Sequence, residues 1–218
     1  MSNPDIRLIL ASQSPARLAT LRAAGVEPQV LVSGVDENEV IAQAGPLTAE
    51  QTPLLLARAK AESVADQWKS MGFGQRYLAD LLLGCDSMLE LDGKVWGKPE
   101  DAATARDRWR SMRGRSGVLH SGHWLVDLRD SATEPVGRGA SASTTVYFAD
   151  ISDAEIDAYV ATGEPLLVAG GFTVDGLGGP FVTGIEGDFH NVVGLSLPLL
   201  RSMLSDLGIA WHQLRTAD

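Results

Sequence analysis

Strand-like and helix-like segments alternate along this chain from end to end, and that alternation constrains the fold more than any other feature. Arg7 to Ala11 is a short apolar run, and Ser12-Gln13-Ser14-Pro15 then turns it into a helix. Ser14 suits the N-cap, and Pro15 suits the first helical position, where its missing N–H costs nothing. The helix runs through Leu18, Leu21 and Arg22 to a stop at Gly25. Gln29 to Ser33 reads as a second strand, leading into the acidic segment Asp36-Glu37-Asn38-Glu39. From about Thr48 to Met71 the stripe of Leu54, Leu55, Ala59 and Val64 predicts a helix that Gly72 ends. Leu81 to Cys85 is a continuous apolar run that ends on Asp86, as in a strand buried on both faces. Met88 to Trp96 alternates around Asp92-Gly93, a strong hairpin signal.

The second half repeats the pattern. A helix is expected from roughly Asp101 to Met112, and strands over Val118 to Leu128 and Ala140 to Phe148, joined by the turn-rich Arg129 to Gly139. Ser152-Asp153-Ala154-Glu155 is a capping box for a helix that Gly163 closes. A glycine-rich stretch from Gly170 to Gly187 precedes a last helix, Pro198 to Leu207. The class is therefore α/β around a mixed β-sheet with flanking helices. With no repeat and no long linker, residues 1–218 read as a single domain.

Composition removes several classes of function. The chain has 218 residues, 44% hydrophobic, enough to bury a sizeable core. A net charge of −10 argues against a nucleic-acid polymer or a membrane surface as partner, since both demand basic surfaces. A small phosphorylated substrate needs only a few local cations. Cys85 is the one cysteine, which rules out an intrachain disulfide and fits a reducing, cytoplasmic location. Residues Met1 to Leu10 do not read as a signal peptide, and no apolar stretch is long enough to span a bilayer.

Four segments can carry chemistry. Ser12 to Arg17 opens a helix, where free N–H groups favour an anion. Arg17 in that first turn opposes the dipole unless an anion binds, and a capped helix with a solvated arginine is the competing reading. Asp86 ends a buried strand, where a carboxylate can hold a metal ion or act as a base toward water; an ordinary acidic turn is the alternative. Gly93 to Pro99 resembles a P-loop only superficially, because its glycines are too close and Pro99 replaces the magnesium-binding hydroxyl. Lys98, held between Gly97 and Pro99, still suits a phosphate contact. Glu37, beside Asp36, could join Asp86 as a hard oxygen donor if their strands are neighbours, against the alternative of a solvated acidic loop. His120 and His123 are three apart on a strand and so face opposite ways, which disfavours a shared metal.

Taken in order, these segments resemble the Maf family nearly end to end. Leu10-Ala11-Ser12-Gln13-Ser14-Pro15-Ala16-Arg17 is similar to its opening signature, and Leu56-Ala57-Arg58-Ala59-Lys60-Ala61 to its Leu-Ala-x-x-Lys-Ala helix. Gly84-Cys85-Asp86-Ser87 and Gly97-Lys98-Pro99 resemble its Gly-Ala-Asp-Thr and Gly-Lys-Pro motifs. Arg113-Gly114-Arg115, His120-Ser121-Gly122, Gly163-Glu164-Pro165, Ile185 to Asp188 and Asn191 to Leu195 complete the pattern.

The resemblance implies two α/β lobes around a central cleft, related to the inosine triphosphatases, and a homodimer. It implies hydrolysis of nucleoside triphosphates, modified ones included, to monophosphate and pyrophosphate, with a divalent cation, magnesium or alternatively manganese. Asp86 would be the catalytic acid–base residue, and Glu37 with Asp86 the metal ligands. Ser12, Ser14, Arg17, Lys60 and Lys98 would grip the phosphates. Ala16, Ser87 and Asp175 would bear on the choice of base. Ala16 stands where the family usually has an arginine, and Asp175 where uracil- and thymine-preferring relatives carry glutamine. The family's link to septum formation offers a second class, a nucleotide-binding regulator of cell division. The presence of Asp86, Glu37, Arg17 and both lysines favours the enzyme.

Overall fold

The computed structural model describes residues 6–70, 79–130 and 135–215. In chain order the elements are β1 (Leu8–Ala11), α1 (Pro15–Ala23), β2 (Gln29–Val30), α2 (Glu37–Ala44), α3 (Gln51–Ser70), β3 (Leu81–Leu91) and β4 (Lys94–Trp96). There follow α4 (Ala102–Met112), β5 (Ser116–Asp127), β6 (Val136–Phe148), α5 (Asp153–Ala161), β7 (Val182–Glu186), α6 (Phe189–Val193) and α7 (Leu197–Ser205). Among the described residues the strands form one mixed sheet in the order β2-β1-β3-β5-β6-β7, with β4 paired to β3. β1 runs parallel to β2 and β3, whereas the β3–β4 and β6–β7 pairs are antiparallel. This is the α/β class with a mixed sheet and flanking helices that the alternation predicts. No helix among the described residues is long and apolar enough to cross a membrane.

The chain divides into two compact units: residues 1–86, 122–141 and 197–218 form one, and residues 87–121 and 142–196 the other. The first has a core of Ile9, Ala11 and Leu82 from the sheet, Ala61, Val64 and Ala65 from α3, and Val126 and Leu128. The second has its own core, centred on Trp109, whose ring makes edge contacts with Phe148, Tyr159 and Phe181 at centroid distances of 5.4–5.8 Å. Burial of such aromatics dominates a core of this size.

The structure corrects four local readings. The acidic segment after Asp36 is a helix, α2, capped by the Asp36 carboxylate, which accepts from the N–H groups of Asn38 and Glu39 at 3.0 and 3.1 Å. The strand reaching Asp86 does not stop there. It continues to Leu91, because Cys85, Ser87, Met88 and Leu89 are all buried and pairing with β4 extends it. Asp92 and Gly93 turn that hairpin with φ of 53° and 71°, the left-handed pair a type I′ turn requires. The glycine-rich stretch contains a strand, β7, and just beyond it lies a short helix, α6, neither of them expected. The second strand is only two residues long. Met71 and Gly72, expected to end α3, and residues 131–134 of the Arg129–Gly139 connection lie outside the described residues.

Candidate active site

The first unit holds seven of the residues singled out above. The Ser14 side chain caps α1 by accepting from the Arg17 N–H at 3.4 Å, and Pro15 follows at the first helical position. Ser12, 7% exposed, accepts from the Ser14 N–H at 3.2 Å, so the turn between β1 and α1 is hydrogen-bonded internally. Arg17 is not a solvated cation. It is 9% exposed, and its Nη1 donates to Ser12 Oγ at 3.1 Å and to the Cys85 carbonyl at 2.8 Å. One guanidinium thus ties the β1–α1 turn to the strand residue that precedes Asp86. Ala16 lies beside it in α1 with its methyl half-buried.

Lys60 reaches the same place from α3, and close packing explains why. A Cβ added at Gly84 would stand 2.2 Å from the Ala57 carbonyl oxygen and 2.9 Å from the Ala61 methyl, so only glycine lets β3 lie this close to α3. Three residues after Ala57, Lys60 Nζ sits 2.5 Å from Asp86 Oδ1 and 2.7 Å from Glu37 Oε1. Glu37 arrives from the first turn of α2, where a carboxylate is favoured by the helix dipole. Glu37 and Asp86 therefore converge on one cation, although Glu37 comes from a helix rather than from a neighbouring strand.

The electrostatics of Asp86 follow from its burial. Desolvation pushes its carboxyl above the ordinary range; Lys60 and Arg17 pull it down without cancelling that rise, and Glu37 adds to it. Cys85 is buried outright, and desolvation pushes its thiol up to about 12, so it packs as a neutral group and not as a nucleophile. Among the described residues no three His, Cys, Asp or Glu side chains converge on one point. Glu37 and Asp86 are two hard oxygen donors that converge on Lys60.

The remaining three residues belong to the second unit. Lys98 is exposed, on a segment fixed at its neighbour: the Gly97 carbonyl accepts from the Gly170 N–H at 3.0 Å and from Arg108 Nη1 at 2.6 Å. Ser87 is 8% exposed, and its hydroxyl meets the Ser121 hydroxyl at 2.8 Å and the Gly194 carbonyl at 3.4 Å. Ser121 in turn donates to the Asn191 carbonyl, and the Asn191 side chain to the Leu119 carbonyl and the Thr144 hydroxyl. This buried polar network was not legible residue by residue, because serines three or more elements apart carry no pairing signal. Asp175 is exposed on the Thr173–Gly178 loop. Asp36 was missed as a cap, although Asp36 with Glu39 three residues on is a capping pattern.

Comparison with known proteins gives the family of the chain. The family described as Maf-like protein matches residues 7–207. A protein of Salinispora tropica named nucleoside triphosphate pyrophosphatase is 57% identical over 206 residues, covering 94% of this chain and 85% of its own length. Proteins of the same name from Leifsonia xyli and Streptomyces coelicolor are 51% and 53% identical, covering 96% and 94% of this chain and 96% and 92% of theirs. The Ser12–Arg17 turn, the Lys60 helix face and the Gly84–Asp86 strand all lie inside the matched span, and the chain belongs to the Maf-like protein family.

Proposed function

We propose that this protein hydrolyses nucleoside triphosphates to nucleoside monophosphate and pyrophosphate, with Asp86 as the acid–base group. The observation that carries the reading is the convergence of Glu37 and Asp86 on the Lys60 ammonium, at 2.7 and 2.5 Å. Two carboxylates that converge on Lys60, itself suited to a phosphate, fit a divalent ion with a triphosphate better than they fit a structural ion pair. The name shared by the relatives supports the same reaction.

Glu37 and Asp86 offer hard oxygens of the kind magnesium takes from protein, one or two carboxylates with the rest supplied by phosphates and water; manganese is the alternative ion. Such an ion supplies charge neutralisation at the phosphates when bound. Asp86, its carboxyl raised by burial, accepts a proton from the water whose oxygen bonds to the α-phosphorus. The bond from that phosphorus to the bridging oxygen breaks, and pyrophosphate leaves with the bonding electrons. Lys60 balances the charge that builds on the leaving group. Ser12, Ser14 and Arg17 hold the β1–α1 turn at the N-terminus of α1, whose dipole suits a phosphate.

Base choice is assigned to Ala16, Ser87 and Asp175. An ionised aspartate only accepts hydrogen bonds, so Asp175 suits the donor-bearing edges of guanine or cytosine and disfavours the two carbonyls of uracil or thymine. Ala16 supplies no donor that would favour a carbonyl. Cys85, single and unbridged, fits a cytoplasmic enzyme.

Product analysis tests the reaction. With magnesium, wild-type protein is expected to release monophosphate and pyrophosphate in equal amounts, and chelation to stop it. Asp86→Asn keeps the shape without the proton acceptor and is expected to lower kcat by about a hundredfold or more. Orthophosphate as the first product, or a fully active Asp86→Asn protein, would refute the assignment.

A further inference from the structure

Glu164 belongs to none of the groups assigned above. It opens a short 3-10 turn, Glu164–Leu167, just after α5. Its Oε1 accepts from the Tyr159 hydroxyl at 2.9 Å, the Thr173 hydroxyl at 2.5 Å and the Gly178 N–H at 3.0 Å, while Oε2 accepts from the Leu177 N–H at 2.9 Å. All these donors but Tyr159 lie in the segment from Thr173 to Gly178, which carries Asp175. The Gly178 N–H also donates to the Thr173 hydroxyl at 3.1 Å, so the two ends of the segment close on each other around the carboxylate.

The glycines of that segment are shaped to the same carboxylate. A Cβ at Gly176 would stand 2.6 Å from Glu164 Oε2 and 2.8 Å from Thr173 Oγ1, and one at Gly178 would stand 2.4 Å from the Tyr159 hydroxyl oxygen. Burial opposes the charge on Glu164, yet the Thr173, Leu177, Tyr159 and Gly178 donors outweigh it and hold the carboxyl below its usual range. Tyr159, the one titratable group among them, is pushed up by burial and keeps its proton. Asp175, Gly176 and Leu177 are themselves exposed, so no apolar core orders the tip of the loop. Besides the Gly179 N–H bond to the Gly176 carbonyl, at 3.1 Å, the tip is held by hydrogen bonds to one anion.

We infer that Glu164 is a positioning residue that fixes the Thr173–Gly178 loop in the conformation that presents Asp175 to the base, and so sets base selectivity without itself reading the base. This rests on the assignment of Asp175 made above. Asp175 can discriminate between donor and acceptor edges only if its carboxylate is held in one place, because a loop free to turn would let it move away from an unfavourable carbonyl. Neutralising or shortening the anchor therefore weakens discrimination before it weakens chemistry.

Steady-state kinetics on GTP and on UTP, with magnesium, test this in wild-type protein, Asp175→Asn, Glu164→Gln and the double variant, with thermal unfolding of each. Glu164→Gln turns one acceptor into a donor that faces the N–H of Leu177 or of Gly178. It is expected to reduce the GTP-to-UTP ratio of kcat/KM by about tenfold, chiefly through the KM for GTP. Asp175→Asn is expected to shift the ratio in the same direction, and the double variant to shift it no further than Asp175→Asn alone, since the two act as one unit. Should Glu164→Gln unfold, Thr173→Val removes one donor to Glu164 and one acceptor of the Gly178 N–H, which keeps its bond to Glu164, and is expected to give a smaller shift of the same sign. A ratio altered by Asp175→Asn but untouched by Glu164→Gln and Thr173→Val overturns the inference and leaves the assignment of Asp175 standing. So does a double variant whose effects simply add. A ratio that Asp175→Asn leaves unchanged overturns the assignment, and the role of Glu164 falls with it.

Discussion

Arg17 shows how a residue that looks misplaced on a helix finds its reason elsewhere in the fold. A cation in the first turn of a helix faces the positive end of the dipole and should cost a few tenths of a kcal/mol. Here the side chain turns away from the helix axis to hold the Ser12 hydroxyl and the Cys85 carbonyl, both buried. Arg17→Ala is therefore expected to do two things at once. It leaves a buried carbonyl without this donor, at about 1–3 kcal/mol, and it loosens the turn at the N-terminus of α1, whose dipole suits a phosphate. Both bonds come from Nη1, and Arg17→Lys keeps the charge on a side chain that ends one bond short of that nitrogen. It is expected to recover part of the KM for the triphosphate and little of the stability. Denaturant midpoints and kinetics on the same preparations separate the two effects, and a lysine variant as stable as wild type would show that charge alone is what the site needs. The arginine was legible in the sequence as a candidate. Its partners were not, because Cys85 lies 68 positions away and offers only a backbone oxygen.

At the scale of elements, what the sequence revealed and what it hid divide along physical lines. Helix starts with local signals came through: Ser14-Pro15 for α1 and the Ser152–Glu155 box for α5 cap as expected, and α4 begins where expected, with Asp101 as its cap. The Asp92-Gly93 hairpin also did. Elements stabilised by distant partners did not. β7 is short and half-buried, and it exists because β6 pairs with it. α2 has no buried residue to give it an apolar stripe, so its acids read as a loop. That misreading mattered, since Glu37 reaches Lys60 because it sits in the first turn of a capped helix. The contact of β3 with α3 is the other element-scale feature that a pattern cannot show. Gly84 permits it, and the obstacle to any larger residue is the Ala57 backbone oxygen 2.2 Å away, which cannot rotate aside. Gly84→Ala is expected to push α3 off β3, destabilising the protein by about 3 kcal/mol. It is also expected to lower activity in the fraction that stays folded, because Lys60 moves with its helix. Ala61→Gly on the facing side would not relieve a clash with a backbone atom, so the pair Gly84→Ala/Ala61→Gly should remain destabilised; recovery of wild-type stability would mean the side-chain contact dominates.

For the whole molecule the relevant quantity is charge, and its distribution separates a small polyphosphate from a polymeric one. The net charge is −10, and many arginines are committed to carboxylates: Arg22 to Glu27, Arg58 to Glu62, Arg106 to Asp157, Arg113 to Asp153, Arg115 to Asp92 and Arg129 to Asp127. Such exposed pairs contribute little to stability. Their larger consequence is that they break up the basic stripe a nucleic-acid backbone would need. Non-specific binding to DNA draws its affinity from releasing counterions at several phosphates together, and a protein making 6–10 such contacts loses roughly 10³–10⁵ in affinity between 50 and 200 mM salt. A triphosphate needs far fewer cations, and Lys60 is held ready by the two acids beside it. The protein is therefore expected to show no binding of a labelled duplex oligonucleotide by fluorescence anisotropy at physiological salt. Excess oligonucleotide is expected to leave hydrolysis of a nucleoside triphosphate unchanged. Inorganic pyrophosphate, which presents the same two phosphates without the polymer, is expected to compete with the triphosphate. Across the same salt range kcat/KM should change by less than about tenfold, as befits a few local contacts. Tight, steeply salt-dependent oligonucleotide binding would mean that the acidic balance of the chain does not describe the face that meets a polymer.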